Sequence, residues 1–217
     1  MSLALVLSGM DLHAQGFNFD YDFGRGGGGG GDAGFHIGLA AEGVAINELH
    51  NEGAGTSSAW AAGFRVGPAL SLGFSHLSID SGVYYQNISD KAGDKSYTHH
   101  ALVVPLELRF NFLDEDYDLN PFIYAGPAFE YGLAASLSQM EGGVRRFYNA
   151  YHPRDGYQNR INYYLGGGLG VQLFGSFLIK AGYSYSMMNY YRPHLWAIDE
   201  NYTTRRGQFT GSLVILF

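Results

Sequence analysis

The chain ends on an alternating strand. In Gly207 to Phe217 (GQFTGSLVILF), Phe209, Leu213, Ile215 and Phe217 share one parity with Gly211, while Gln208, Thr210 and Ser212 take the other. Period-two alternation marks a strand with one apolar face. This strand stops on Phe217 with no turn, cap or polar tail. In water such an edge is an aggregation hazard. It is tolerable where alternate residues face lipid and the strand's edges are paired inside a closed barrel, because a bilayer core offers no water to an open edge.

Composition fits that constraint. Gly (32 residues), Tyr (17) and Phe (15) are abundant, while charged residues make up only 15%. The mean hydropathy of −0.10 is too low for a helical membrane protein, and no apolar run approaches the roughly 20 residues of a spanning helix. A membrane barrel places its apolar residues at every second position, so its mean hydropathy stays ordinary. With no Cys, disulfides, zinc–thiolate sites and lipid attachment through an N-terminal Cys are excluded. The net charge of −7 gives no reason to expect nucleic-acid binding. A chain of 217 residues is about one domain.

Residues 1–14 are expected to be the back part of a secretory signal peptide. Ser2 to Gly9 is a short apolar core, and Leu12-His13-Ala14 before Gln15 has the form of a small-residue cleavage site. No Lys or Arg precedes Arg25, so the basic front of such a peptide is expected upstream of Met1. Residues 15–33 contain six consecutive glycines, Gly26 to Gly31, and are expected to be a flexible periplasmic tether. The tract lacks the Gly-Lys-Ser/Thr ending of a phosphate-binding loop.

Residues 34–217 divide into alternating segments at 34–46, 59–72, 77–89, 98–112, 120–138, 160–173, 177–190 and 207–217. The connections between them run 12, 4, 8, 7, 21, 3 and 16 residues, long alternating with short. The pattern predicts an all-β fold: an eight-stranded antiparallel up-and-down transmembrane β-barrel with long external loops and short periplasmic turns.

Parity assigns the two faces. Leu102, Val104, Leu106, Leu108, Phe110 and Phe112 point toward lipid, and Glu107, Arg109 and Asn111 inward. Glu42, Arg65, Asp80, Glu130 and Lys180 fall on the inward parity of their own segments. An eight-stranded barrel is just wide enough to be filled by its own side chains, and buried charges must pair. Glu42, Asp80, Glu107 and Glu130 are therefore expected to form an interior network with Arg65, Arg109 and Lys180. The same residues admit a narrow gated conduit or a catalytic set as alternatives. Inward glycines such as Gly38, Gly63, Gly126, Gly166, Gly168 and Gly170 make room for the long side chains.

The chain resembles the PorT-like branch of small outer-membrane barrels from Gly34 to Phe217. The resemblance rests on Leu77 to Tyr85 (LSIDSGVYY), Leu102 to Arg109 (LVVPLELR), Pro121 to Pro127 (PFIYAGP), the glycine-rich sixth segment and the final Phe217. The ending Phe209, Gly211, Leu213, Ile215, Phe217 is also similar to the terminal signal by which the barrel assembly machinery recognises outer-membrane barrels. The resemblance implies an outer-membrane location and no catalytic residue. A named member of the branch is an accessory of a secretion and gliding machinery, a role that likeness of fold does not carry over. The architecture is shared with OmpA- and OmpX-like barrels.

Small barrels include lipid A-modifying enzymes, so the loops matter. Adjacent His99 and His100 would point to opposite faces of a strand, a poor geometry for chelation. His152, His194, Ser57 and Ser58 lie on separate connections, without a local motif. No metal site, cofactor or catalytic residue is expected. A basic, aromatic set comprising Arg145, Arg146, Tyr148, Arg154, Arg160, Arg205 and Arg206 lies on or beside the long connections. Arginine forks suit phosphates, and Tyr148, Tyr151, Tyr163 and Trp196 suit the membrane interface. The expected partners are outer-membrane lipid and lipopolysaccharide, the assembly machinery, and an envelope or secretion-complex protein. The reading is a non-enzymatic structural or interaction element. A lipid A-modifying enzyme and a narrow pore or hydrophobic-ligand channel stand as alternatives.

Overall fold

The computed structural model describes residues 34–51, 56–113, 117–152, 158–190 and 203–217. The expected signal segment and glycine tether, residues 1–33, lie outside the described residues, as do Arg154, His194 and Trp196. Ten strand segments occur among the described residues: β1 (Gly34–Asn51), β2 (Thr56–Phe74), β3 (Leu77–Gly82), β4 (Tyr84–Ala92), β5 (Lys95–Asn111), β6 (Leu119–Glu141), β7 (Val144–Asn149), β8 (Ile161–Leu173), β9 (Phe177–Ser186) and β10 (Thr203–Leu216). β3 and β4 are one wall strand, since their registers with β2 and β5 agree on both sides of Val83. The break lies opposite Pro68, which has no N–H to give to the ladder, although its carbonyl accepts from the Val83 N–H at 3.1 Å. The wall thus has eight strands, all paired antiparallel, and β10 closes on β1 from Gly38↔Leu216 to Asn51↔Thr203. β7 lies outside the ring and, among the described strands, pairs with β6 alone.

The registers fix the geometry of closure. A circuit leaves β1 at Phe35 and passes through Leu72, Ile79, Leu108, Ala125, Gly167, Tyr183 and Phe209. It returns to β1 at Ala45, a stagger of ten residues. A stagger of that size requires strands tilted by roughly 35–45° to the barrel axis. Every residue on the circuit points outward, so the period-two pattern stays in phase through the closing seam. Slipping one strand by one residue would turn its lipid face inward.

The outer face is apolar and banded. Trp60 stacks with Phe209 at 6.2 Å, Tyr183 lies 4.8 Å from Phe209, and Phe129 lies 5.3 Å from Tyr163. These rings, with Tyr85, Tyr131 and Tyr185, form a girdle toward one end. Phe35, Phe74, Phe112, Phe177 and Phe217 form another at the end that carries Gly34 and Phe217, called here the terminal end. Between them lie aliphatic side chains such as Leu39, Val66, Leu106, Leu169 and Leu213. Phenols nearer one rim and apolar rings at the other, flanking an aliphatic belt, match the two interfaces of a bilayer.

The opposite, loop end departs from the sequence expectation. Most of the 47–58 connection is strand, and 90–97 is a hairpin turned at Gly93, so long loops do not alternate with short turns there. The 139–159 stretch contains β7, joined to β6 through Gly142 and Gly143. All three glycines have positive φ (59°, 59° and 82°), which L side chains seldom adopt. Polar pairs such as Thr98↔Ser136 and Ser89↔Thr98 can keep laddering beyond the apolar belt, where water reaches their side chains.

Candidate functional site

Inward parity brings the chemistry-bearing side chains into the lumen. Arg109 on β5 meets Asp80 on β3 with Nε–Oδ2 at 3.0 Å. Its other nitrogens donate to Gln172 Oε1 (2.8 Å), Ser71 Oγ (3.2 Å) and Asn111 Oδ1 (3.3 Å), and Ser71 Oγ donates to Asp80 Oδ1 at 2.7 Å. The guanidinium lies 5.2 Å from the centre of the Phe122 ring. Arg65 pairs with Glu42 at 3.4 Å, donates from Nε to Gln86 at 2.7 Å, and reaches Gln208 through Nη2.

The network is not a simple mesh of neighbouring strands: Arg109 already joins β5 to Gln172 on β8, and Arg65 joins β2 to Gln208 on β10. Glu107 on β5 pairs with Lys180 on β9 at 2.7 Å, and these strands are not adjacent in the wall. The pair is a strut across the lumen, and Lys180 Nζ also stands 5.0 Å from the Tyr124 ring centre. Glu130 meets Gln86 Nε2 at 2.8 Å and so joins Arg65 through an amide. A cavity of about 40 Å³ remains mid-barrel, bordered by Glu42, Arg65, Tyr84, Glu107, Tyr124 and Thr210. That is room for roughly two or three waters.

Toward the loop end the lumen is stoppered by chain rather than by wall. After β7 the backbone turns inward, with Ala150 N–H on Ala135 O at 2.9 Å and His152 N–H on Asn149 O at 3.2 Å. Tyr151 and Gln158 are buried there, and Tyr190 reaches in from the segment after β9. Tyr151 Oη lies 2.7 Å from His99 Nε2, and Gln158 Oε1 accepts from Tyr97 (3.1 Å) and Tyr190 (3.2 Å). Burial holds the Tyr151 and Tyr190 hydroxyls well above the ordinary phenol range, so both stay neutral. A Cβ at Gly132 would overlap the Tyr151 hydroxyl, so only glycine lets that ring seat.

The basic surface set expected from the sequence is split. Arg206 is a correction: it points into the barrel, 1% exposed, paired with Glu48 and lying 3.2 Å over the Tyr190 ring. β10 begins at Thr203, four residues before the expected strand start, and Arg206 shares the inward parity of Gln208. Tyr151 is likewise inside and not at headgroup height. Arg160 is half-buried, donating to the Gly132 and Leu133 carbonyls at 3.2 and 3.3 Å beneath the Tyr151 ring's cation–π contact at 4.7 Å. Arg205 donates to Ser186 O at 3.4 Å. Arg145, Arg146 and Tyr148 sit on exposed β7. Phe209, Gly211, Leu213, Ile215 and Phe217 run down the outer face of β10.

Sequence reasoning missed Glu48, Gln86, Gln208, Tyr97, Gln158 and Tyr190. Glu48 was legible, because it continues the inward parity of Glu42 beyond the assumed strand end. Gln158 lies outside any periodic segment and gave no such signal, whereas Tyr190 closes the expected 177–190 segment on the inward parity of Lys180, although β9 itself ends at Ser186. His99 faces in, whereas His100 faces out and holds Tyr85 Oη at 2.6 Å and Asn87 Nδ2 at 3.1 Å. Among the described residues no three His, Asp or Glu side chains group to hold a metal.

A family model described as outer membrane protein beta-barrel domain matches residues 14–192. Among solved structures, the chain is similar to Neisserial surface protein A at 14% identity and a TM-score of 0.43, covering 82% of this chain and 97% of that one. It is similar to the attachment invasion locus protein Ail of Yersinia pestis at 12% identity and a TM-score of 0.44, covering 83% and 99%. The outer membrane enzyme PagL aligns at 13% identity and a TM-score of 0.45, covering 80% and 98%. No curated protein sequence matches the chain.

Proposed function

The chain belongs to the outer membrane protein β-barrel domain family, and from that premise we propose that it is a non-enzymatic binding and structural element of the envelope that works through its loop end. The observation that carries this reading is the Lys180–Glu107 strut. It spans the lumen between pairs that already engage Arg65 and Arg109, below a mouth filled by Tyr151, Gln158 and Tyr190. Charges committed to one another in this way are poorly placed to bind or turn over a solute.

The rim supports contact with lipopolysaccharide. Arg160 and Arg205 stand near the girdle of Tyr163, Tyr183 and Tyr185, where cationic forks and phenols meet phosphorylated headgroups. A protein partner within an envelope or secretion assembly belongs to this reading, and the Phe209–Phe217 face supports recognition by the assembly machinery. Two measurements test the reading together. Reconstituted protein is expected to give no discrete conductance in planar bilayers, and lipid A from expressing cells is expected to keep its mass. Discrete steps would establish a channel, and a mass shift that depends on the intact chain would establish an enzyme.

A further inference from the structure

Among the described strands β7 pairs with one, β6, and has two edges. Gly142 and Gly143, both with positive φ, close a two-residue hairpin in which Glu141 and Val144 are the first paired positions. In such a hairpin the flanking pair exchanges backbone hydrogen bonds, and the bonding alternates along the strand from there. The phase is confirmed beyond β7, where the Ala150 N–H donates to Ala135 O. Even-numbered positions therefore bond toward β6. Arg145 and Phe147 turn their N–H and C=O groups the other way, and among the described residues no strand pairs with that edge. All six residues of β7 are exposed.

We propose that the free edge of β7 is a strand-addition site for an extended acidic segment of a partner protein, with adjacent carboxylates opposite Arg145 and Arg146 and an apolar residue opposite Phe147. The inference rests on the reading of the loop end as the working end of the barrel.

Three observations select this occupant. An edge residue offers an acceptor as well as a donor, and a phosphate group can answer only the donor, whereas another backbone answers both. A second copy of the chain fits less well: of the antiparallel registers open to the outward groups, those centred on Arg145 and on Arg146 set like charges directly opposite, which is destabilising, and the one centred on Phe147 leaves both arginines without an opposite charge. The sign of the partner follows from charge. The chain as a whole is at −7, yet the stretch 142–149 carries two Arg and no acid. Exposed charges on a strand edge also discourage indiscriminate pairing, so an edge bearing two arginines remains open to a complementary strand and closed to most others.

The test uses the full chain in detergent micelles and a short synthetic peptide, Thr-Val-Glu-Glu-Val-Thr, followed by isotope-edited infrared or fluorescence titration. Binding is expected for this peptide, and loss of binding for two altered forms: one with Lys in place of both Glu, and one N-methylated at the amides that would face β7. Phe147→Pro removes an outward N–H without touching the β6 ladder and is expected to weaken binding about tenfold, as one or two lost backbone hydrogen bonds would. Phe147→Ala keeps the N–H and is expected to weaken it less. Arg145→Glu is expected to shift preference toward the Lys peptide. Equal binding of the N-methylated peptide overturns the proposal without recourse to any variant. So does equal affinity of the Pro and Ala variants, or saturable binding of lipid A vesicles that displaces the acidic peptide from β7. Conductance or lipid A turnover by the barrel would defeat the proposed function while leaving this titration readable.

Discussion

Replacing Arg109 with Met tests the interior most directly. The side chain is 3% exposed and makes one ion pair and three hydrogen bonds, to Asp80, Gln172, Ser71 and Asn111. Methionine fills similar space but leaves Asp80 Oδ2 without its partner and takes a donor from both Gln172 and Asn111. Removing one member of a buried pair costs about 3–5 kcal/mol. The lower part of that range applies here, because Ser71 still donates to Asp80 Oδ1. The companion change Asp80→Leu removes the stranded charge, so the double variant is expected to return to within about 1 kcal/mol of the parent or to exceed it. Equilibrium urea unfolding in lipid vesicles, followed by the different migration of folded and unfolded barrel on unheated gels, gives both values. A single variant that loses less than about 1 kcal/mol, the scale of a solvent-exposed pair, would refute the network as a buried one. A double variant no better than the single would refute the pairing.

Three further outcomes follow from particular residues. Leu106→Arg, on the outer face between the girdles, is expected to cost about 2–4 kcal/mol in the same assay, against about 0.5 kcal/mol or less for Ser58→Arg at the exposed loop end; equal costs would misplace the apolar belt. Gly132→Val is expected to expel the Tyr151 ring and make the chain at Ala150–His152 sensitive to limited proteolysis, and adding Tyr151→Ala should relieve the loss of barrel stability that accompanies the clash. Arg206→Met is expected to destabilise by about 3–5 kcal/mol, with rescue by Glu48→Leu, and to leave lipopolysaccharide binding unchanged; a selective loss of that binding with stability intact would return Arg206 to the surface.

The wall was legible in the sequence because lipid on one side and a narrow lumen on the other force a strict period of two. Leu102 to Phe112 outside, with Glu107 and Arg109 inside, needs no tertiary information. Arg206 shows how the same logic fails at a boundary. Starting the last strand at Gly207 made Arg206 a loop residue, although it lies two positions before inward Gln208. Strand ends are set by where the ladder stops, and here it runs past the apolar belt into polar sequence, where hydropathy no longer marks it. The mouth was not legible for a different reason. Tyr151, Gln158 and Tyr190 reach the lumen from irregular segments, and their meeting with Tyr97 and His99 is set by backbone bonds such as Asn159 N–H to Tyr190 O at 3.0 Å. The cross-lumen partnership of Lys180 and Glu107 was hidden too, because sequence parity says which residues face inward but not which of them stand opposite.

The interior charges have a role that net stability does not explain. Paired ions in a narrow lumen offset their desolvation poorly, and apolar side chains of similar volume would often be as stable. In lipid, however, a strand apolar on both faces would have no preferred side, and a one-residue slip would exchange the two at little cost. With Asp80, Glu107, Arg109 and Lys180 in place, the same slip would carry charges into the acyl region, where each costs a few kcal/mol at the bilayer midplane. The pairs therefore act on register and facing, and the Lys180–Glu107 strut ties β5 to a strand it never ladders with. A lumen occupied in this way confines adaptable chemistry to the ends of the barrel. At the loop end, the residues that the ladder does not consume are those on the outer edge of β7.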